Sequence, residues 1–202
     1  MATDSTTDGR RMRGRSTRRA LVDAAVDTVL DRGFAALTLR EVAGRAGVSA
    51  AATTYHFGTV DALLDAVLDE LATRATRRLA DLTRRSREGE LSLLDACTTY
   101  VVDLLGPDRR TLLAQLEIRL SAARSPDTGR LPDGHEERVV DLIAAYTGDR
   151  EQARDLFTAV FGFAALGVLS HPPDAAAVRE HLQRLLARHG LLEDTRAPAS
   201  TS

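Results

Sequence analysis

The segment LTLREVAGRAGVSAAATTYHFGTVDALL, residues 37–64, carries the signals of two short helices separated by a tight turn. Thr38 and Glu41 have the spacing of a capping box, in which the hydroxyl accepts from an amide in the first turn and the carboxylate reaches back. Gly47 can adopt the positive φ that a tight turn requires, and Ser49 is a favoured N-cap for a following helix. The sequence therefore predicts a helix over residues 38–45, a turn over 46–48 and a second helix over 49–56.

The second helix has few core-forming residues, because its side chains are mostly small or hydroxyl-bearing. Val42, Ala43 and Val48 can supply the apolar contacts between the two helices. The alanines at 50–52 would permit close approach to a duplex, and residues 53–56 offer hydroxyl and imidazole groups for phosphates and base edges. This arrangement is typical of a helix-turn-helix, in which the last helix enters the major groove of DNA.

Positive charge is concentrated ahead of this segment. Residues 1–58 hold nine arginines and six acidic residues, whereas residues 59–202 hold 18 basic and 23 acidic residues. Six of the nine arginines lie between residues 10 and 19 with no acid among them. Such a run attracts phosphate, although it also occurs in solvated tails. We expect residues 1–14 to form a disordered basic arm.

The rest of the chain is predicted to be helical throughout. Apolar residues recur at helical spacing over 16–32 and 61–88. Further helices, most of them ending near Gly or Pro, are expected over 91–105, 108–124, 136–146, 151–170 and 175–189. We therefore expect an all-α protein with a three-helix helix-turn-helix domain over residues 15–60, a larger helical domain over 61–192 and a flexible tail over 193–202.

Three motifs give the chain a resemblance to a known family, namely LTLREVAGRAGVS at 37–49, YHFG at 55–58 and DALL at 61–64. Together they resemble the DNA-binding domain of the TetR family of transcriptional regulators. The resemblance implies a homodimer that binds a palindromic double-stranded DNA operator, and a C-terminal domain that dimerises and binds a small-molecule effector. The chain differs from the family at Val60, where Lys is common, and at Thr53-Thr54, where Leu-Tyr is common.

The residues expected to bind DNA follow from their positions in this motif. They are Arg18, Thr38, Arg40, Ser49, Ala50, Thr53, Thr54, Tyr55 and His56. We expect Thr53 and Thr54 to be the principal contacts. Tyr55 has the alternative of packing beneath the next helix. His56 has the alternative of capping the C-terminal end of its own helix, where the helix dipole favours a cation.

The residues expected to bind the effector are polar or aromatic side chains in the helices after residue 90. They are Cys97, Tyr100, Gln115, Glu117, Arg119 and Phe161. The alternative is that the aromatic residues belong to the core and that Glu117 pairs with a surface arginine.

Two helices near the C-terminus are expected to form the dimer interface. Residues 156–169 are apolar on nearly all sides, so this helix must be covered all round. Together with residues 175–189 it would form a two-helix face, and two such faces related by a two-fold axis make a four-helix bundle. The alternative is that both helices serve only the core of their own chain.

The sequence disfavours several other classes of protein. Cys97 is the only cysteine, has no histidine near it in sequence and is expected to be an inert thiol. The five histidines show no metal-ligand spacing and no catalytic arrangement can be assembled, so we expect no enzyme, no cofactor and no metal. The longest apolar run is shorter than the roughly 18–20 residues that cross a bilayer, and no signal-peptide pattern is present, so we expect a cytoplasmic protein without a membrane partner.

The combined prediction is a ligand-responsive, dimeric DNA-binding regulator, specifically a repressor that a small molecule releases from its operator. Two alternatives remain open at this point. One is an activator built on the same fold. The other is an all-helical small-molecule sensor or protein adaptor without specific DNA binding.

Overall fold

The computed structural model describes residues 5–124 and 135–192, and within these ranges every regular element is a helix. The elements are α1 Ser5–Arg32, a 3-10 helix Phe34–Ala36, α2 Leu39–Ala46, α3 Ala50–Phe57, α4 Val60–Arg87, α5 Leu93–Leu105, α6 Arg109–Arg124, α7 His135–Thr147, α8 Arg150–Leu169 and α9 Ala175–Arg188. The prediction of an all-α protein is confirmed.

Side-chain caps fix the starts of several helices. The Ser92 hydroxyl accepts from the Asp95 amide at 3.0 Å at the start of α5, and the Asp149 carboxylate accepts from two amides in the first turn of α8. The Asp174 carboxylate accepts from the Ala177 amide at 2.8 Å at the start of α9. Each cap satisfies an amide that the helix cannot satisfy itself, which contributes about 1 kcal/mol.

Helix α1 begins much earlier than the sequence indicates. It is helical from Ser5, so residues 5–14 are not a disordered arm. Residues 1–4 of the predicted arm and the predicted tail 193–202 lie outside the described residues. The early part of α1 has no apolar periodicity to reveal it, but a helix already nucleated by a packed segment extends at low cost through residues such as arginine.

The described chain forms two compact units. Unit 1 comprises residues 5–72 and 114–124, and unit 2 comprises residues 73–113 and 135–192. Helices α4 and α6 each contribute residues to both units. The division therefore differs from the one expected at residue 60, because the apolar face at the start of α4 belongs to the core around the helix-turn-helix.

The core of unit 1 gathers apolar residues from α1, from the segment of α2 and α3, and from the beginning of α4 and the second half of α6. Its buried members are Leu21, Val22, Ala24, Ala25, Val26, Val29, Leu37, Val42, Phe57, Leu63, Val67, Leu71, Ala114 and Ile118. Burial of a Leu, Val or Ile side chain contributes about 1.5–3 kcal/mol, so this cluster dominates the stability of the unit. It fixes the orientation of α2 and α3 relative to α1.

Helices α5, α7, α8 and α9 build unit 2 with the remaining parts of α4 and α6. A close approach between α5 and α8 occurs at Gly167, where a Cβ atom would lie 3.1 Å from Leu105 Cδ2 and 3.2 Å from Pro173 Cδ. The Arg109 guanidinium donates to the Val168 carbonyl at 3.0 Å, which satisfies one of the free carbonyls at the end of α8. These contacts hold the C-terminal end of α8 against the rest of the unit.

Part of α8 is not covered by its own chain. Leu166 is 72% exposed and Leu169 is 66% exposed, although the sequence predicts that this helix is buried on all sides. In the described part of the chain α8 is also the one helix long and apolar enough to cross a bilayer by length and composition. A single such helix is weak evidence for a membrane span, because helices that pack in a protein core share these properties.

Candidate nucleic-acid interface

The turn between α2 and α3 is fixed by hydrogen bonds at both ends. Thr38 Oγ1 accepts from the Glu41 amide at 3.1 Å, and Ser49 Oγ accepts from the Ala52 amide at 3.1 Å. Gly47 has φ 66°, a left-handed conformation that glycine adopts without steric cost. The Val48 amide then donates to the Ala43 carbonyl at 3.0 Å, closing the end of α2. Two short helices are thereby held in a fixed relation by local sequence.

The inward face of α3 consists of Thr53 and Phe57, which are four residues apart and therefore on the same side of the helix. The Thr53 side chain is fully buried, and its hydroxyl donates to the Ser49 carbonyl at 3.4 Å. The expectation that Thr53 contacts DNA is corrected by this placement, since no part of its side chain reaches the surface. The apolar Phe57 four positions later is the signal in the sequence that would have revealed it.

The outward face of α3 is formed by Ala50, Ala51, Thr54 and Tyr55. Tyr55 is 85% exposed, so the alternative in which it packs beneath the next helix is wrong. The Thr54 hydroxyl donates to the Ala50 carbonyl at 3.1 Å, which leaves its oxygen free to accept a further hydrogen bond. Ala51, expected from sequence to permit close approach to DNA, shares this face with Ala50.

His56 lies beside this face, in the last turn of α3. Its side chain is half-buried, and its ring meets the Tyr55 ring edge to face with 5.3 Å between centroids. Such edge-to-face aromatic pairs are favourable and restrict the rotamers of both side chains. His56 therefore supports the position of the exposed phenol, and it also occupies the end of the helix where a cation is favoured.

Two arginines of unit 1, Arg32 and Arg45, form ion pairs between α1 and α2. Arg32 donates to Glu41 at 2.6 Å and Arg45 donates to Asp31 at 2.6 Å, so each partner helix supplies one acid and one base. The hydrogen bond to Asp31 raises the pKa of the Arg45 guanidinium. These two pairs join the end of α1 to α2.

Arg18 and Arg40, both expected to bind DNA, are exposed and make no ion pair within the described residues. The Arg18 guanidinium lies over the Phe57 ring, with its central carbon 5.1 Å from the ring centroid. This cation–π contact holds the side chain at the C-terminal end of α3 without neutralising its charge. Arg40 occupies the first turn of α2, next to the exposed Thr38.

The residues expected to form one effector site are not brought together in one unit. Gln115, Glu117 and Arg119 belong to the part of α6 that lies in unit 1, whereas Cys97, Tyr100 and Phe161 belong to unit 2. Arg119 is half-buried. The structure therefore divides the predicted set into two groups of three.

Glu117 has a structural partner that the sequence does not reveal. Its carboxylate oxygens accept from the Phe34 amide at 3.2 and 3.3 Å, at the start of the 3-10 helix where that amide has no helical partner. The two residues are 83 positions apart, so no local pattern predicts the contact. This contact gives Glu117 a structural partner other than the surface arginine weighed from sequence, and its role in ligand binding stays a prediction.

Gln115 differs from its neighbours because it is buried without a partner. Its side chain is 8% exposed and makes no hydrogen bond to another described residue. A buried amide without partners costs about 1–3 kcal/mol, and such groups in native proteins call for a ligand, a water or a functional role. Gln115 is therefore the strongest of the predicted effector contacts.

In unit 2, Cys97 and Tyr100 lie one turn apart on α5 in apolar surroundings. Burial raises the pKa of the Cys97 thiol to about 11, so the thiol is protonated and unreactive near neutral pH. Burial, with a smaller contribution from Asp108, raises the pKa of the Tyr100 hydroxyl to about 12. Phe161 on α8 stacks on Phe157 with 5.7 Å between ring centroids.

Comparison with known sequences identifies a regulatory family. Residues 21–67 match the sequence profile of the bacterial regulatory proteins of the tetR family. The chain is 32% identical over 157 residues to the HTH-type transcriptional regulator BetI of Cronobacter sakazakii, covering 74% of each protein. It is 41% identical over 93 residues to an HTH-type transcriptional repressor of Mycobacterium tuberculosis, of which it spans only half the length.

Solved structures give the same result over most of the chain. The multidrug binding protein EbrR in complex with ethidium superposes with a TM-score of 0.69 at 32% identity, covering 84% of this chain and 98% of EbrR. A TetR-family member from Streptomyces coelicolor superposes with a TM-score of 0.69 at 32% identity, covering 84% and 97%. The relatives from Cronobacter sakazakii and Mycobacterium tuberculosis are named as a transcriptional regulator and a repressor, which agrees with the expectation that the chain is not an enzyme. Among the described residues no group of His, Cys, Asp and Glu could hold a metal. The chain belongs to the TetR family of bacterial transcriptional regulators.

Proposed function

We propose that the protein is a dimeric repressor that binds a palindromic operator through α3 and is released from it by a small molecule. The observation that carries this proposal is the outward face of α3. This face carries the Tyr55 phenol, which is 85% exposed, together with the small residues Ala50 and Ala51 and the Thr54 hydroxyl. A tyrosine this exposed does not contribute to the core. In a major groove, base edges and phosphates would be within reach of its hydroxyl.

The contacts divide by chemistry. Ala50 and Ala51 let the helix backbone approach the base edges, and Thr54 and Tyr55 supply the hydrogen-bonding groups. Arg18, Arg40 and the hydroxyls of Thr38 and Ser49 contact phosphates and set the register of the helix in the groove, since such contacts position a protein on DNA without reading its sequence. Thr53 supports the helix from within.

The dimer forms through α8 and α9. Leu166 and Leu169 expose apolar surface on α8, and a soluble protein seldom leaves large apolar side chains uncovered in a contiguous patch. A two-fold axis would place the same face of a second copy against it and make a four-helix bundle. Dimerisation then sets the separation of the two α3 helices, which must match half-sites about 34–36 Å apart.

For the effector we propose an aromatic, nitrogen-bearing molecule. EbrR has been solved with ethidium, proflavin and malachite green, and a relative from Paenarthrobacter nicotinovorans is named as a nicotine-responsive repressor at 28% identity. Gln115 supplies the buried amide that would hydrogen-bond such a molecule. Glu117 lies two residues further along α6, so a shift of this helix on binding changes its contact with Phe34 and hence the helix-turn-helix.

DNA binding is tested by a gel shift with the region upstream of the protein's own gene. We expect a specific complex that survives excess unrelated competitor, and a loss of at least about tenfold in affinity for Tyr55→Ala with unchanged thermal stability, because the side chain is exposed. The absence of any specific complex at low salt would contradict the proposal and favour the sensor or adaptor. A complex that activates transcription in a reporter strain would favour the activator.

Effector binding is tested by titration of proflavin fluorescence. We expect saturable binding that Gln115→Leu weakens at least about tenfold, because one buried hydrogen-bonding group is lost. Gln183→Leu, a matched change at an exposed position of α9, is expected to bind as the unaltered protein does. Equal affinity in all three proteins would remove Gln115 from the site.

A cytoplasmic location is part of the same proposal, because the operator lies there.

A further inference from the structure

The core residues that α1 gives to unit 1 all lie in its second half. The buried residues of α1 begin at Leu21, and none of the described side chains before it is buried. Residues 5–20, here called the basic extension, span about 24 Å at 1.5 Å per residue. A helical segment from which no described side chain joins the core requires another reason for its position.

The charge of the basic extension is almost entirely positive. It contains six arginines and one acidic residue, Asp8. Arg19, at the C-terminal end of the extension, forms ion pairs with two carboxylates. Its guanidinium nitrogens lie 3.5 Å from Asp23 Oδ2 and 3.8 Å from Glu70 Oε1. Arg15 and Arg18 have no acidic partner among the residues that the structure describes, and both are exposed. Arg15 and Arg18 therefore keep uncompensated positive charge on this helical segment.

The C-terminal end of the basic extension lies beside α3. Arg18 packs on the ring of Phe57, the last residue of α3, so the arginines before it continue along α1 from the edge of the surface that faces DNA. Arg15 lies three residues, or about 4.5 Å along the axis, beyond Arg18. DNA presents one phosphate charge for about each 1.7 Å of its axis, so a basic rod that starts beside the major groove meets the adjoining phosphates.

We propose that the basic extension binds the phosphate backbone as a helix, beyond the groove occupied by α3, with Arg15 as a phosphate contact. The inference rests on the proposed DNA-binding function. The minor groove is not its binding site, because a helix about 10 Å wide with its side chains does not enter a groove about 6 Å wide. The extension adds affinity and reads no sequence.

The salt dependence of binding to an unrelated 30-base-pair duplex tests this inference without knowledge of the operator. Each phosphate contact contributes about 0.9 to the slope of log K against log salt concentration. We expect Arg15→Gln to lower the slope by about 0.9 per protomer and the affinity at 0.1 M salt by up to about eightfold per protomer. Arg15→Lys, which keeps the charge, should restore both values.

Arg77→Gln is the matched control. Arg77 is also an exposed arginine without an acidic partner in the described ranges, but it lies about 25 Å along α4 from Val60. We expect it to leave the slope unchanged. An equal slope in the Arg15→Gln protein and the unaltered protein would overturn the inference, as would an equal loss in the Arg77→Gln protein. If Arg15→Gln lowers the slope as expected but the unaltered protein forms no specific operator complex, the proposed function is contradicted. The extension then remains a phosphate-binding helix.

Gly14 distinguishes a helix from an unwound arm. A Cβ at this position would meet no atom within 4 Å, so Gly14→Ala changes helix propensity alone. If the extension binds as a helix, the substitution should raise duplex affinity by up to about fivefold, since alanine favours the helix. Lower affinity would overturn the inference. Netropsin, which occupies the minor groove, is expected to leave the Arg15-dependent part of the affinity unchanged. If netropsin abolished that part of the affinity, the extension would bind in the minor groove instead.

Discussion

The adjacent threonines of α3 offer a direct test of the proposed DNA-binding surface, because the same substitution should weaken operator binding at Thr54 and leave it nearly unchanged at Thr53. Thr53→Val replaces a fully buried hydroxyl that donates to the Ser49 carbonyl at 3.4 Å, near the limit of a hydrogen bond. That carbonyl also accepts from the Thr53 amide at 3.2 Å, so the substitution leaves no unsatisfied acceptor. The lost bond costs about 1 kcal/mol or less, and the added methyl gains about 0.8 kcal/mol.

We therefore expect Thr53→Val to change the free energy of unfolding by less than about 1 kcal/mol and the operator affinity by less than about twofold. Thr54→Val removes an exposed hydroxyl and should change stability by no more than about 0.5 kcal/mol. Its cost appears in DNA binding. One hydrogen bond per protomer, at about 0.5–1.5 kcal/mol, gives about 1–3 kcal/mol for a dimer and lowers affinity by about fivefold to more than a hundredfold.

Fluorescence anisotropy with a labelled operator duplex measures the affinity, and urea unfolding followed by circular dichroism measures stability in the same buffer. Each threonine variant serves as the control for the other. The reasoning is refuted if Thr53→Val abolishes operator binding while retaining native stability, or if Thr54→Val binds the operator as tightly as the unaltered protein does.

Three further predictions concern the dimer face, the contact of α6 with the 3-10 helix, and pH. Leu166→Glu combined with Leu169→Glu should convert the protein to a monomer in light scattering after size exclusion, since charges cannot be covered by an apolar partner face; a dimer of unchanged mass would contradict the proposed interface. Glu117→Ala should lower the free energy of unfolding by about 1 kcal/mol through loss of the acceptor for the Phe34 amide, and Glu117→Gln, which keeps an acceptor, by less; equal urea midpoints in all three proteins would count against this role. Burial raises the pKa of Cys97 from 9.0 to about 11 and that of Tyr100 from 10.0 to about 12, so the unfolded chain ionises first and stability should fall as pH rises above about 9. Cys97→Ala should reduce the fall between pH 8 and 10.5, and an identical fall in both proteins would exclude the thiol as its source.

The helix-turn-helix could be predicted from sequence because its boundaries depend on local chemistry. Thr38, Gly47 and Ser49 act through hydrogen bonds and backbone angles within a few residues, and each has the role that its residue type indicates. The orientation of α3 about its axis was harder to predict. Both threonines have the chemistry of a DNA contact, and only the apolar Phe57 four residues later marks the side on which Thr53 lies.

Two features were missed for a different physical reason. The helical state of residues 5–14 depends on continuation from a packed helix and not on their own apolar pattern. The Glu117 contact depends on the return of α6 to unit 1, where it meets an amide 83 positions earlier in the chain. Neither long-range packing nor helix propagation leaves a periodic signal in the residues concerned, so a sequence pattern could indicate neither.

Ion pairing gives the arginines of unit 1 two separate tasks. Arg32 and Arg45 each meet an acid across the junction of α1 and α2, and because the signs are reciprocal the two pairs fix one relative position of the helices. Surface pairs of this kind contribute little to stability, about 0–1 kcal/mol each, but they neutralise charge near the proposed DNA-binding surface. Among the arginines of residues 5–58 whose side chains the structure describes, Arg15, Arg18 and Arg40 have no acidic partner, and these are the ones that we propose meet phosphate. A count of basic residues therefore overstates the electrostatic attraction of this domain, and the acids that pair with arginine decide how much of it reaches the duplex.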